Sequence, residues 1–400
     1  MEFLSQRVIT MAESETLAMT RIAREMKSQG IDVISLSIGE PDFNTPEIVK
    51  EAGKKAIDDN FTHYPPVPGY LDLRQAICKK LKRDNNLTYT PEQIVVSTGA
   101  KQSIANLALA VINPGDEIII PTPYWVSYKE IVKLAEGTPV YIRCTIENNF
   151  KVTAKQLEDA ITPKTKMIMF SSPSNPTGMF YSKSELEAIA KVIEKHPHVL
   201  VMADEIYEHI NFEGKHESIG QFDYIKDQVI VVNGVAKGFA MTGWRIGYIA
   251  SALPIAKACD KIQGQITSAT CSIAQRATIT AMEIEPANDE YILTMKNTFK
   301  ERRDIMFKLL KEVPGLNVNL PQGAFYFFPE IKSFFGKSHG KYTINNSTDL
   351  CMYLLHEAHV ALVPGDAFGD PDCIRFSYAA ATETLVEAIK RIKETLALLK

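Results

Sequence analysis

The chain has 400 residues, 45% hydrophobic and 23% charged, with 44 basic against 48 acidic side chains. That length exceeds what one core usually supports, so two domains are expected, and a net charge of −4 with no long basic run leaves no electrostatic footprint for nucleic acid. No apolar run approaches the roughly 20 residues that span a bilayer, and the opening Met-Glu-Phe-Leu-Ser-Gln-Arg lacks the apolar stretch of a secretion signal, so a cytoplasmic protein without a membrane partner is expected.

Between residues 94 and 250, short β-branched runs alternate with helical stretches. Strands are predicted at 94–97, 117–120, 139–143, 166–170, 199–202, 228–232 and 246–250. Several are apolar throughout, as strands buried on both faces of a sheet are. Ile104, Leu107, Ala108 and Val111 repeat at helical spacing. The pattern predicts an α/β fold, a mostly parallel seven-stranded sheet flanked by helices, with ligands bound beyond the carboxyl ends of the strands. From about residue 290 the texture changes. A charged helical stretch at 295–312, then Gly323-Ala324-Phe325-Tyr326-Phe327-Phe328 and the segments 360–365 and 373–378, predict a smaller α+β domain. The expected division is 46–290 for the large domain and 1–45 with 291–400 for the small one. Six cysteines, at 78, 144, 259, 271, 351 and 373, show no metal or redox spacing and are expected to be reduced structural thiols.

Polar residues cluster where the predicted strands end. Gly99-Ala100-Lys101 follows a strand and opens a helix, either as a plain structural turn or as a cradle for phosphate. Trp125, after the second strand, suits core packing or the face of a flat ring. Asn175 stands between Pro173 and Pro176, which fix the backbone around it and aim its amide. Asp204 closes an apolar run, and a buried acid there needs a partner: a helix end, or the protonated nitrogen of a pyridine ring. Tyr207 follows it. Lys237 lies among small neighbours in Gly234-Val235-Ala236-Lys237-Gly238, open to close approach by a flat cofactor, and Arg245 comes eight positions later. Arg375, between Ile374 and Phe376, suits a two-pronged clamp on a carboxylate, although a surface ion pair is the commoner use of an arginine. Lys237, Asp204, Asn175 and Arg245 together suggest a pyridoxal phosphate site.

Three segments then carry a family resemblance. Asn175-Pro176-Thr177-Gly178, Asp204-Glu205-Ile206-Tyr207 and Ala236-Lys237-Gly238-Phe239-Ala240-Met241-Thr242-Gly243-Trp244-Arg245 stand in the order and spacing of class I aminotransferases of pyridoxal-phosphate fold type I. The chain most resembles the prokaryotic aspartate aminotransferase subgroup called Iγ or Ib, from Ser37-Ile38-Gly39-Glu40-Pro41-Asp42-Phe43 to Arg375-Phe376-Ser377-Tyr378. The resemblance implies pyridoxal 5'-phosphate as cofactor and Lys237 as the Schiff-base lysine that also moves the substrate's α-proton. It implies Asp204 on the ring nitrogen, Tyr207 and Asn175 on the ring oxygen, and Trp125 against the ring. Arg245 with Gly99, Ala100 and Lys101 would hold the phosphate, and Tyr64 would reach the phosphate of a neighbouring subunit, making a homodimer. Arg375, Asn175 and Gly39 would hold the substrate's α-carboxylate.

Amino acids and 2-oxo acids are the implied substrates, with aspartate as donor, 2-oxoglutarate as acceptor and ping-pong kinetics. Lys101, at a position where this subgroup carries a lysine, is the candidate for the distal carboxylate, with Thr16 as helper. An aromatic or broad-range aminotransferase is the alternative, and a C–S lyase of the same fold a further one. One departure stands out. Many such relatives carry Lys-Pro-Ser-x-Thr near the N-terminus, a lysine associated with prephenate, whereas this chain reads Ala12-Glu13-Ser14-Glu15-Thr16, so little prephenate transamination is expected.

Overall fold

The computed structural model describes residues 3–9, 11–12 and 15–400, without the side chains of residues 15–17. Its centre is a sheet of seven strands: β1 (Ile94–Thr98), β2 (Glu117–Thr122), β3 (Thr138–Arg143), β4 (Thr165–Ser171), β5 (Leu200–Asp204), β6 (Val229–Gly234) and β7 (Ile246–Ala250). Their order across the sheet is β1-β7-β6-β5-β4-β2-β3. Only β7 runs against the others, pairing antiparallel with both β1 and β6. The remaining pairs are parallel.

The continuous apolar runs follow from burial on both faces. Val96, Ile119, Ile168, Val201 and Val231 enter one core. Their neighbours Val95, Ile118, Met167, Met202 and Ile230 point the other way, into a second. Alternate residues of one strand thus serve opposite cores, which leaves no polar face to the sequence. The helix Ala100–Val111 lays Ile104, Leu107 and Ala108 onto the second core, as its spacing predicts, and connects β1 at one edge to β2 on the far side of the sheet.

A third core gathers the helices Glu15–Ser28, Glu290–Lys311 and Thr382–Leu396 around short strands. Tyr326–Phe327, Ile374–Ser377 and Val363–Pro364 form a three-stranded antiparallel sheet, and Ile34–Ser35 pairs parallel with Val360–Ala361. On this packing we propose 1–45 with 291–400 as one small domain beside 46–290. Tyr207, Ile210 and Phe212 of the larger part enter the same core, so the two parts share apolar contact. Arg302 also grips Asp42 with two hydrogen bonds of 2.7 and 2.8 Å, tying the loop after Ile34–Ser35 to the long helix. No helix among the described residues is long and apolar enough to cross a membrane.

Candidate active site

Parallel strands deliver their carboxyl ends to one edge of the sheet. Gly99, Trp125, Asn175, Asp204 and Lys237 follow or close β1, β2, β4, β5 and β6, and so arrive at that edge together. Arg245 joins them for the opposite reason. It precedes β7, and because β7 is reversed, its start lies where the other strands finish. From the small part come Gly39, Tyr326 and Arg375. The result is a cavity of about 320 Å³, lined by Lys101, Trp125, Asn175, Asp204, Lys237 and Arg375 among others. That volume lies in the range of small-molecule sites, roughly 300–1,000 Å³.

Lys237 projects into this cavity, and its Nζ donates to the Gly39 carbonyl at 2.5 Å. Burial pushes its amine down to about 8, against the charge of Glu40, with Arg375 and Arg245 adding to the fall. A lysine so placed loses its proton near neutrality. Asp204 is the opposite case. Burial pushes its carboxyl up to about 6, although Oδ2 accepts from the Tyr128 hydroxyl at 2.9 Å and Oδ1 from the Ile206 amide at 3.2 Å. Tyr207 shares a hydroxyl–hydroxyl hydrogen bond of 2.8 Å with Tyr326.

Arg375 is 2% exposed. It donates through Nη1 to Asn175 Oδ1 at 2.9 Å and through Nη2 to the Ser37 carbonyl at 2.7 Å, while its Nε has no hydrogen-bond partner among the described residues. The guanidinium carbon lies 4.6 Å from the Tyr326 ring centre and 4.9 Å from that of Phe368. An arginine held between two rings, with its Nε–H unpaired and further N–H groups to spare, is set to receive an anion. Arg245 adopts a left-handed backbone (φ +58°) and donates to the Thr242 carbonyl at 2.8 Å. Gly99 makes room for it: φ is +80°, and a Cβ there would come within 2.9 Å of the Arg245 guanidinium carbon. Beside them the helix Ala100–Val111 begins, presenting the positive end of its dipole to the cavity. Lys101 carries its ammonium 5.0 Å from the Trp125 ring centre, and desolvation followed by repulsion from Arg245 lowers its pKa.

The structure therefore brings together Gly39, Ala100, Lys101, Trp125, Asn175, Asp204, Tyr207, Lys237, Arg245 and Arg375 in one cavity wall, with Gly99 packed behind. Tyr64 lies elsewhere, 94% exposed. Thr16 falls in the first turn of the helix Glu15–Ser28, its side chain outside the described residues, as are Glu13 and Ser14 of the departing segment. Sequence reasoning missed Tyr128 and Tyr326, both fully buried, and the Ser37 carbonyl. The run Gly323-Ala324-Phe325-Tyr326 carried a signal for one of them; a backbone carbonyl carries none.

Comparison with known proteins gives the family. Residues 31–392 match the family described as aminotransferase class I and II. The chain belongs to that family. Over 99% of its length it is 48% identical to a bifunctional aspartate aminotransferase and glutamate/aspartate-prephenate aminotransferase of Petunia hybrida, covering 83% of that protein. It is also 48% identical to a probable aspartate/prephenate aminotransferase of Rickettsia bellii, over 98% of both chains. Among solved structures, the aspartate aminotransferase of Rhizobium meliloti superposes with a TM-score of 0.95 at 41% identity, over 99% of each chain. That of Thermus thermophilus with maleate gives 0.92 at 38%, over 99% of this chain and 100% of the other. The α/β fold with its mostly parallel sheet is thus the fold of these aminotransferases.

Proposed function

We propose that this aminotransferase uses pyridoxal 5'-phosphate to pass the amino group of L-aspartate to 2-oxoglutarate, giving oxaloacetate and L-glutamate in a ping-pong sequence. The observation that carries this is the meeting of a deprotonatable amine, a buried carboxylate and an arginine with an unpartnered N–H in one cavity. The residues present suit the cofactor. A helix N-terminus, Arg245 and the space left by Gly99 suit a phosphate. Trp125 suits a ring face, Tyr207 and Asn175 a ring oxygen, and Asp204 a protonated ring nitrogen. Bound there, the cofactor supplies an aldehyde that exchanges amines and a ring that accepts the electron pair of a breaking bond.

The side chains do the rest. Lys237, with its amine near 8, takes the α-proton of the substrate and returns it as the exchange completes. Asp204 keeps a proton on the ring nitrogen. Arg375, braced by Asn175 and Ser37, orients the α-carboxylate so that the α-hydrogen faces Lys237. Lys101, whose ammonium lies over Trp125 in the cavity wall, is the residue assigned to the distal carboxylate. Tyr64, exposed in the single chain, is assigned to the phosphate of a second copy, so the active unit is a homodimer.

The printed names of the relatives support aspartate, and the Thermus structure holds maleate, a four-carbon dicarboxylate. Several of the same names include prephenate. The stretch Ala12-Glu13-Ser14 argues for little prephenate turnover here. A panel of donors against 2-oxoglutarate, ranked by kcat/KM, tests the whole reading. Aspartate should lead. Aromatic donors ahead of aspartate, robust use of prephenate, or ammonia release without an acceptor would each overturn its corresponding part.

A further inference from the structure

We propose that Tyr128 is a positioning residue: its phenol holds Asp204 as a carboxylate anion turned to the cavity. Two observations converge on this. The Tyr128 hydroxyl donates to Asp204 Oδ2 at 2.9 Å, and both side chains are buried, at 0% and 5% exposure. A carboxylate in such surroundings persists as an anion only where donors stabilise it. Here the donors are the phenol on Oδ2 and the Ile206 amide on Oδ1. Each oxygen keeps a further lone pair for a cationic N–H in the cavity.

The local sequence explains the placement. Tyr128 lies in the first turn of the helix Ser127–Leu134, and its amide donates to the Trp125 carbonyl at 2.9 Å. The two rings meet edge to face at 5.5 Å. One short segment therefore supplies both a flat wall of the cavity and the donor beneath it. The charges facing Asp204 are few: Glu205 opposes its ionisation, and Lys237 favours it. Burial has the largest effect on its titration, and the Tyr128 hydrogen bond is the first of the opposing ones. Phenylalanine in place of Tyr128 would keep the ring and remove that donor, together with the hydroxyl's hydrogen bond with Ser171.

The role toward the cofactor rests on the reading of the cavity given above, but the effect on Asp204 does not, and the two are measured separately. In the chain without cofactor, Asp204 titrates above its unfolded value, so ionisation in the fold costs stability as pH rises through about 6. Tyr128→Phe raises that pKa further. Its thermal destabilisation relative to the native chain should be clearly larger at pH 7.5 than at pH 5, and the difference should vanish in an Asp204→Asn background. Equal destabilisation at both pH values, as lost packing alone would give, overturns the proposal. With pyridoxal phosphate added, Tyr128→Phe should weaken binding tenfold or more in the native background and less than twofold in Asp204→Asn. Equal weakening in both backgrounds overturns the positioning role. Failure of the native chain to bind the cofactor at all overturns the cofactor reading, while the pH comparison still decides the fate of the Tyr128–Asp204 pair.

Discussion

Lys80 and Glu208 form a buried ion pair, with side chains 1% and 4% exposed. Glu208 stands one residue after Tyr207, and it also accepts from Asn233 Nδ2 at 2.7 Å and from Asn85 Nδ2 at 2.9 Å. One carboxylate thereby joins three pieces: the turn after β5, the end of β6 that leads to Lys237, and the end of the helix Leu71–Asn85. Burial opposes its charge, but Lys80, His209 and His216 outweigh that, and its carboxyl titrates well below the usual range.

Removing one partner of such a pair leaves an uncompensated buried charge. Lys80→Met should lower stability by about 3–5 kcal/mol, read from urea unfolding, and the double variant Lys80→Met/Glu208→Gln should lose less than the sum of its singles. Because the folded pKa of Glu208 is depressed, the stability it contributes is present above its ordinary value of 4.5 and is lost as pH falls below it. The gap between native and Lys80→Met should therefore narrow in acid. A constant gap from pH 7 to 3 would show that Lys80 acts through packing.

How much of this was legible in the sequence varies with the physics. The seven strands were legible because both faces are buried, and most of the site because strand ends converge on one edge. Strand ends were drawn short: β2 runs on through Pro121 and Thr122, and β5 through Asp204, because polar or cyclic residues still pair at the carboxyl edge. The reversal of β7 left no trace, since a central strand is apolar in either direction. Lys80 was invisible because a lysine in a helix usually faces water. Tyr128 looked like any core aromatic; only the position of Asp204 gives its hydroxyl a meaning.

Arg375 carries a prediction about substrate and not cofactor. Lysine at that position keeps a charge but cannot reach Asn175 Oδ1 and Ser37 O while also presenting a planar pair of N–H groups. Arg375→Lys should lower kcat/KM on the order of 100-fold, or about 2.7 kcal/mol, for every amino-acid donor tested. Affinity for pyridoxal phosphate should stay within about twofold in direct titration, a bound set well under the ~1.4 kcal/mol of a tenfold change. A variant that loses cofactor and substrate together would place Arg375 elsewhere in the scheme.

Lys101 separates the donors. Its ammonium rests over Trp125, and a distal carboxylate would draw it off the ring into a charge-assisted hydrogen bond. Lys101→Ala should cost aspartate roughly 10- to 100-fold in kcat/KM, the scale of one hydrogen bond to a charged group. An aromatic donor should change by no more than about twofold, since it makes no such bond. Equal losses on both donors would refute the assignment and point to a role beside Arg245 at the phosphate.

The depressed pKa of Lys237 makes the last prediction, on the chain before any substrate arrives. Only the neutral amine captures an aldehyde, and burial has brought its titration down to about 8 from an ordinary 10.5. The rate at which the cofactor-free chain captures pyridoxal phosphate, trapped with borohydride and counted by mass spectrometry, should rise with pH through about 8 and then level. Lys237→Arg should abolish capture at this site, because arginine stays protonated. Glu40 opposes the fall, so Glu40→Gln should move the midpoint to lower pH. A rate still climbing at pH 10 would mean that Lys237 titrates as an ordinary exposed lysine, and its proposed part as proton carrier would fall with it.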